Sequence, residues 1–280
     1  MGGVVDADSL LAYQRVLAVA NARPAGLIFD IDGTLAPMAS TPTAARVDPR
    51  ALAALERLTR LVDLVAVVTG RAARDGAAMI GLPHVLAVGN HGLETVIDGV
   101  REAHPDARPF IPAVAATMAT IRARVDADPA LHGCVLEDKE LSGSVHYRLT
   151  ADPDEAKRRL DGIVGEAAHA HGLKITFGRL VIEVRPPVDI DKGAAVRWIA
   201  ETRGLRGVAF FGDDVTDMDG FRAVRELREA EGLDGVAVAV ADVEARPEVI
   251  AAADVALSGV PACAALLEAL ADVLEGAAKK

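Results

Sequence analysis

The stretch Phe29-Asp30-Ile31-Asp32-Gly33-Thr34-Leu35 constrains this chain more than any other. Two carboxylates stand two residues apart, directly after the apolar run Gly26-Leu27-Ile28-Phe29 and directly before a glycine. A short apolar run bounded by turn residues reads as a buried parallel strand, and Gly33-Thr34 reads as the turn that ends it. Both acids then stand at the carboxyl end of a strand, where open α/β sheets bind their ligands. In such a turn the two side chains need not point to opposite faces, so one can attack while the other handles a proton. That arrangement suits covalent phosphoryl transfer through an aspartyl-phosphate. The pair alone does not decide the matter, because Asp and Gly are ordinary turn residues. A calcium loop also begins with spaced acids. Counting from Asp30, however, the sixth position is Leu35 rather than glycine and the twelfth is Thr41 rather than glutamate, which excludes that reading.

A second apolar strand, Val208 to Phe211, runs into Gly212-Asp213-Asp214-Val215-Thr216-Asp217. Carboxylates this close repel one another unless a cation neutralises them or some stay protonated. A few hard oxygen ligands, with room left for water and phosphate oxygens, favour Mg²⁺ over a caged Ca²⁺. The bland alternative is a solvated acidic helix start. Two weaker signals lie between the acidic motifs. Leu64 to Val68 ends in Thr69-Gly70-Arg71, where a hydroxyl and free backbone N–H groups can form an anion site; equally, Thr69 can simply cap the next helix. Asp191-Lys192-Gly193 opens a helical stretch through Trp198, and Lys192 can reach a phosphate as a compact cation or stand in solvent.

In this order the four signals resemble the haloacid-dehalogenase-like phosphatases, and further motifs narrow the resemblance to trehalose-6-phosphate phosphatases. Those motifs are Asp30-Ile31-Asp32-Gly33-Thr34-Leu35-Ala36-Pro37, Thr69-Gly70-Arg71, Gly89-Asn90-His91-Gly92-Leu93-Glu94, Glu137-Asp138-Lys139 with Ser142 and His146-Tyr147-Arg148, Glu183-Val184-Arg185-Pro186, Asp191-Lys192-Gly193 and Gly212 to Asp217. They run in the family's order over roughly residues 25 to 260. One departure is Met218, where the family usually carries another acid; Asp219 follows it. The resemblance implies a Mg²⁺-dependent phosphatase releasing trehalose and phosphate from trehalose 6-phosphate. It also makes a trehalose-6-phosphate synthase of the same pathway a candidate partner.

Roles follow on that expectation. Asp30 is nucleophile and metal ligand. Asp32 is general acid and then general base, with its backbone carbonyl as the metal contact that the resemblance implies. Thr69 and Lys192 hold the transferred phosphoryl group, and Lys192 moderates repulsion between Asp30 and Asp213. Asp213 binds Mg²⁺, supported by Asp214 and Asp217. Gly70, Arg71, Asn90, His91, Glu137, Lys139, Glu183 and Arg185 form the expected substrate set. Carboxylates suit a hydroxyl-rich sugar as acceptors, though Glu137, Lys139 and Glu183 can also be the charged outer face of a sheet. His91 reads equally as a buried structural histidine, and Arg185 either orients Glu183 or is solvated. The alternatives keep the aspartyl-phosphate and change the acceptor or substrate: another phosphorylated disaccharide or glycosylglycerate, or a phosphosugar mutase. A binding protein without catalysis would lack the reason for intact Asp30, Asp32, Lys192 and Asp213.

A chain of 280 residues with 51% hydrophobic content is long enough for one large domain or two modest ones. Aromatics are only 3%, so the core must be built from Ala, Val, Leu and Ile. A net charge of −11 argues against a nucleic-acid or anionic-membrane surface. It also means that a phosphorylated substrate needs local positive charge, from Mg²⁺, Arg71 and Lys192. Cys134 and Cys263 lie far apart without metal-ligand spacing, as expected of apolar filler in a reducing cytosol. The first residues hold Asp6, Asp8 and Arg15 rather than a basic start and an apolar core; Met1-Gly2 lacks the Ser or Thr at position six of a myristoylation signal; and no apolar run reaches the ~18 residues of a membrane span. The expected location is cytoplasmic.

Alternation of Leu27–Phe29, Pro49–Leu61, Leu64–Val68, Arg74–Ile80 and Val85–Val88 predicts a Rossmann-like parallel sheet. The pattern then changes to a helix over Phe110–Val125, strands at Gly133–Asp138 and Ser144–Leu149, a helix over Asp154–His171 capped by Gly172, and a hairpin of Lys174–Phe177 with Leu180–Val184. Strand-helix alternation resumes at Lys192, with strands at Val208–Phe211, Gly235–Val240 and Val255–Leu257. The expected organisation is an α/β catalytic core over 1–104 and 187–280 with an inserted α+β cap over 105–186. Pro105 and Pro186-Pro187 are expected hinges, and closure of the cap is expected to exclude water.

Overall fold

In the computed structural model, which describes residues 7–242 and 246–279, the elements follow in this order. The first part holds α1 (Ala7–Asn21), β1 (Ala25–Phe29), α2 (Pro49–Leu58), β2 (Leu64–Val68), α3 (Ala73–Ile80), β3 (Leu86–Gly89), β4 (Glu94–Ile97) and β5 (Val100–Ala103). Next come α4 (Ile111–Asp126), β6 (Val135–Asp138), β7 (Gly143–His146), α5 (Pro153–Ala170), β8 (Lys174–Gly178) and β9 (Val181–Arg185). The last part holds α6 (Lys192–Arg203), β10 (Gly207–Gly212), α7 (Met218–Glu231), β11 (Asp234–Val240), α8 (Pro247–Ala252), β12 (Val255–Leu257) and α9 (Gly259–Ala278). Met1, Gly2 and Asp6 lie outside the described residues. The chain divides into two compact units: Met1–Ala39, Ala45–Glu102 and Ile190–Lys280 form one, and Ser40–Ala44 with Ala103–Asp189 the other.

The first unit is a three-layer α/β/α core around an eight-stranded sheet of order β12-β11-β10-β1-β2-β3-β4-β5. Its strands from β12 through β3 are parallel. Side chains alternate between the faces. Leu27, Phe29, Val65, Val67 and Phe211 pack with α1, α2 and α9 on one side; Ile28, Ala66, Val68, Val208 and Phe210 pack with α6 and α7 on the other. Covering both faces is why these strands are unbroken apolar runs in sequence. Phe29 and Phe211 stack across the β1–β10 pair with ring centroids 4.6 Å apart, one of the few aromatic contacts in an aliphatic core.

One part of the core was absent from the expected pattern. Strands β4 and β5 form a hairpin on Asp98-Gly99, both left-handed (φ 49° and 79°), and β4 adds antiparallel to β3. Asp-Gly is a strong hairpin signal, but each flanking strand is only four residues long and carries charge, so the alternation looks like loop. Helix α1 and the long α9 also went unread.

The second unit is an α+β cap of the expected helix-strand-strand repeat. Its sheet has the order β6-β7-β9-β8 with all pairs antiparallel. Val145, Ile182 and Val184 face α4 and α5 in a separate core with Val114, Ile121, Leu160 and Val164. Strand β7 ends at His146, earlier than the expected Leu149. Among the described residues no helix is long and apolar enough to cross a membrane.

Truncating Phe211 to alanine removes a fully buried ring at the sheet's centre. Phe211→Ala should lower the unfolding free energy by about 3–5 kcal/mol in urea denaturation; a loss below about 1 kcal/mol would mean the site collapses around the gap.

Candidate active site

Strand pairing brings the two acidic motifs together. Strand β1 lies between β10 and β2, the point at which the strand order reverses and ligands bind. Phe29 pairs with Phe211, and Asp30 N donates to Phe211 O at 2.8 Å, so the chain leaves both strands side by side. Oxygens of Asp30, Asp213 and Asp217 consequently lie within 4.8 Å of one another, a set that can hold a metal ion. Gly33 turns the chain at φ 92°, and a β-carbon there would sit 2.0 Å from Asp213 Oδ2. The glycine of the first motif is thus required both by its backbone conformation and by the carboxylate lying against it. Thr34 Oγ1 donates to Asp213 Oδ1 at 3.3 Å.

Lys192, almost fully buried, is placed by the start of α6, whose N-cap Asp191 accepts from Ala194 N at 2.7 Å. Its Nζ donates to Asp30 Oδ1 at 2.7 Å and to Asp217 Oδ1 at 2.6 Å. The lysine therefore bridges Asp30 with Asp217, and its positive charge also acts on Asp213. The other oxygen of Asp217 accepts from Asp213 N (3.1 Å) and Asp214 N (3.0 Å). Asp217 is a fully buried brace, tying the lysine to the loop that carries Asp213.

Electrostatics follow from burial and like charge. Burial, reinforced by Asp217 and Asp32 and opposed by Lys192, raises the Asp30 carboxyl from 3.8 to about 7. Burial, then Asp30 and Asp217, pushes Asp213 well above the carboxylate range. Burial disfavours the Lys192 charge, but Asp217 and Asp30 outweigh it and hold the ammonium above its usual range. Clustered hard oxygens with unbalanced negative charge, next to a glycine that leaves room beside one of them, fit a divalent cation. Neither the Asp32 nor the Asp214 side chain belongs to this grouping. Asp214 caps the short 3₁₀ turn Val215–Asp217. Asp219, which follows Met218, bonds Arg222 at 2.7 Å rather than joining the acids.

Asp32 is held elsewhere. Arg71 Nε and a terminal nitrogen grip its two oxygens at 2.6 and 2.7 Å in a bidentate fork. Thr69 is buried, and its Oγ1 accepts from Arg71 N at 3.2 Å. It does not cap α3: that helix starts at Ala73 with Ala72 at its N-cap and no side-chain bond there.

The cap for α3 comes from a residue that the sequence marks only as the end of the Gly89–Glu94 motif, without a role. Glu94, on β4 and almost fully buried, accepts from Ala73 N at 2.8 Å and from Asn90 Nδ2 at 2.7 Å, and pairs with Arg101 on β5. Asn90 and His91 are both left-handed (φ 51° and 56°), an uncommon state for residues with side chains. That turn is stitched to the Thr69–Arg71 turn by Asn90 N to Arg71 O (2.7 Å) and His91 N to Thr69 O (3.0 Å). A β-carbon on Gly70 would come 2.7 Å from His91 Nε2, so the imidazole lies over the glycine. His91 is buried against this turn, and Asn90 is fully buried.

On the cap sheet, Lys139 Nζ donates to Glu183 Oε1 at 2.9 Å, Ser144 Oγ reaches the same oxygen at 3.0 Å, and His146 Nε2 meets Glu137 Oε2 at 2.7 Å. Arg185 is buried at the end of β9. Ser144 and His146 were missing from the expected substrate set; His146 stood only within the motif His146-Tyr147-Arg148, without a role, and Ser144 carried no signal.

Comparison with known proteins decides the family. The trehalose-phosphatase family model matches residues 28–256. The chain belongs to the trehalose-phosphatase family. The trehalose-phosphate phosphatase of Mycobacterium marinum is 34% identical over 220 residues, covering 76% of this chain and 55% of that protein. Its counterpart in Mycobacterium tuberculosis strain H37Rv is 36% identical over 206 residues, covering 71% and 51%. The chain thus spans about half the length of these relatives. The crystal structure of a trehalose-6-phosphate phosphatase related protein superposes with a TM-score of 0.75 at 23% identity, over 91% of this chain and 100% of that one. The C-terminal domain of the C. albicans trehalose-6-phosphate phosphatase gives 0.74 at 21% identity, over 95% and 97%. At those identities the structures establish the shared fold alone.

Two outcomes follow. Glu94→Ala strands the Ala73 N–H, the Asn90 amide and the Arg101 guanidinium, and should cost about 2–4 kcal/mol of stability, with Glu94→Gln losing less; equal losses in urea denaturation would contradict the shared-acceptor role. The Asp30 carboxyl keeps its proton to about pH 7 in the folded protein and to 3.8 when unfolded, so its stabilising contribution is complete below pH 3.8 and is lost as pH rises through 7. Metal-free Asp30→Asn should therefore gain stability over the wild type between pH 4 and 7; a constant gap across that window would refute the shift.

Proposed function

We propose that the chain is a Mg²⁺-dependent phosphatase that hydrolyses trehalose 6-phosphate to trehalose and phosphate through an aspartyl-phosphate on Asp30. The observation that carries the reading is the convergence of Asp30, Asp213, Asp217 and Lys192 at the ends of β1 and β10, in a chain of this family. Oxygens of Asp30 and Asp213 and the backbone carbonyl of Asp32 would hold the ion, with Asp217 supporting from behind and Asp214 at the margin. When bound, Mg²⁺ supplies positive charge to the phosphoryl oxygens.

The protein's own groups divide the work. An Asp30 carboxylate oxygen bonds to phosphorus as the bond from phosphorus to the sugar oxygen breaks, and Asp32 delivers its proton to that leaving oxygen. Water then attacks phosphorus, its proton passes to Asp32, and the Asp30–phosphorus bond breaks to free phosphate. Thr69 and Lys192 hold the transferred group, where a buried ammonium costs no reorganisation. Arg71 grips both oxygens of Asp32, so that fork must open before the acid can carry a proton, and we assign Arg71, with Gly70, Asn90 and His91, to the bound phosphosugar. Glu137, Lys139 and Glu183 would take sugar hydroxyls, with Arg185 beside Glu183.

Phosphate monoester hydrolysis demands accelerations up to ~10²¹, and none of the cations protonates a sugar alkoxide. General acid help is worth about 10²–10⁴, so Asp32→Asn should lose that much on trehalose 6-phosphate and far less on an aryl phosphate in single-turnover phosphorylation. Equal losses would remove Asp32 from the role. Phosphate release from trehalose 6-phosphate, measured with and without Mg²⁺ against glucose 6-phosphate and glycosylglycerate phosphates, tests the substrate. Asp30→Asn should abolish release in every case.

A further inference from the structure

Strand β7 is a central strand of the cap sheet, and its polar face carries Ser144 and His146. Ser144 stands in register opposite Glu137 on β6 and opposite Glu183 on β9. Opposed residues of an antiparallel pair share a face, and His146, two residues on, shares it too. Each of these side chains touches one of the cap glutamates. Ser144 Oγ lies 3.0 Å from Glu183 Oε1, the oxygen that also takes Lys139 Nζ at 2.9 Å. His146 Nε2 lies 2.7 Å from Glu137 Oε2. An ionised carboxylate only accepts, so the hydroxyl donates to Glu183 and the imidazole N–H to Glu137.

We infer that Ser144 and His146 are positioning residues, which hold Glu183 and Glu137 in the orientations that receive sugar hydroxyls. Ser144 is fully buried, so any effect it has on a ligand passes through Glu183. A glutamate free to rotate loses side-chain entropy when it binds a hydroxyl; one already held by a neighbouring strand has lost it on folding, and affinity rises accordingly. Two donors on one Glu183 oxygen, from Lys139 and from Ser144, set both the reach and the rotation of that carboxylate. The inference rests on the reading of Glu137 and Glu183 as sugar-binding groups.

The test compares wild type, Ser144→Ala, His146→Leu, His146→Gln and Glu183→Gln as full chains, with the phosphosugar that the wild type hydrolyses best and with p-nitrophenyl phosphate. Ser144→Ala and His146→Leu should raise KM for the phosphosugar about fivefold to tenfold, with kcat held within about twofold and aryl phosphate kinetics unmoved. His146→Gln, which keeps a donor, should restore most of the loss. Equal changes on both substrates, or a fall in Tm with no change in KM, would make the contacts merely structural and overturn the inference. If Glu183→Gln raises KM and neither β7 variant does, the inference fails while the sugar-binding reading stands; if Glu183→Gln has no effect, both fail. Should Ser144→Ala not fold, the half-exposed His146 pair decides alone.

Discussion

Three carboxylate oxygens within 4.8 Å of one another repel strongly, and the core of this molecule is organised around containing that repulsion. Parallel pairing of β1 with β10 forces Asp30 and Asp213 to neighbouring strand ends. Lys192 answers part of the charge from the start of α6, and Asp217 couples that ammonium to the Asp213 loop through backbone N–H groups. Burial, together with the like charge that the lysine does not balance, raises the carboxyl pKa values of Asp30 and Asp213. A buried cluster left in this condition destabilises the fold by itself, and it suits a divalent ion bound among the same oxygens. Strand order, the buried lysine and the glycine against Asp213 are parts of one electrostatic arrangement.

A second arrangement supports the flanking turns. Glu94 supplies from β4 what the sequence around Ala72 lacks, an acceptor for the first N–H of α3. The same carboxylate holds Asn90 in a left-handed turn whose backbone is bonded to the Thr69–Arg71 turn. The β4–β5 hairpin, with no chemistry of its own, thus fixes the residues proposed to meet phosphate and sugar. In the cap, strand β7 stands in a comparable relation to Glu137 and Glu183. In both places a residue proposed to touch the ligand is held by one that is not.

Much of this was legible in the residues. Apolar runs ending in Asp30, Thr69 and Asp213 are buried on both faces because the sheet is sandwiched between helices, and such strands leave an unmistakable mark. The helix-strand-strand repeat of the cap was equally plain, since α4 and α5 are long and periodic. Short elements were not. Strands β4 and β5 have four residues each and carry charge, too little for periodicity to show, and β7 reads as running on to Leu149 where it ends at His146. Asp32 reads as the acid and base with its backbone carbonyl toward the metal, but what its side chain meets was not legible, because that partner is Arg71, 39 residues away.

The chain by itself determined which acidic and basic motifs are candidates for the chemistry and at which strand ends they sit, because strand burial and turn residues are local properties. It determined the family for the same reason: the motifs are short, ordered and chemically demanding. Only the tertiary structure decided who pairs with whom. That Lys192 lies between Asp30 and Asp217, that Arg71 grips Asp32, and that Glu94, Ser144 and His146 hold their neighbours are long-range distances, and no local pattern encodes a hydrogen bond between strands that the sequence separates.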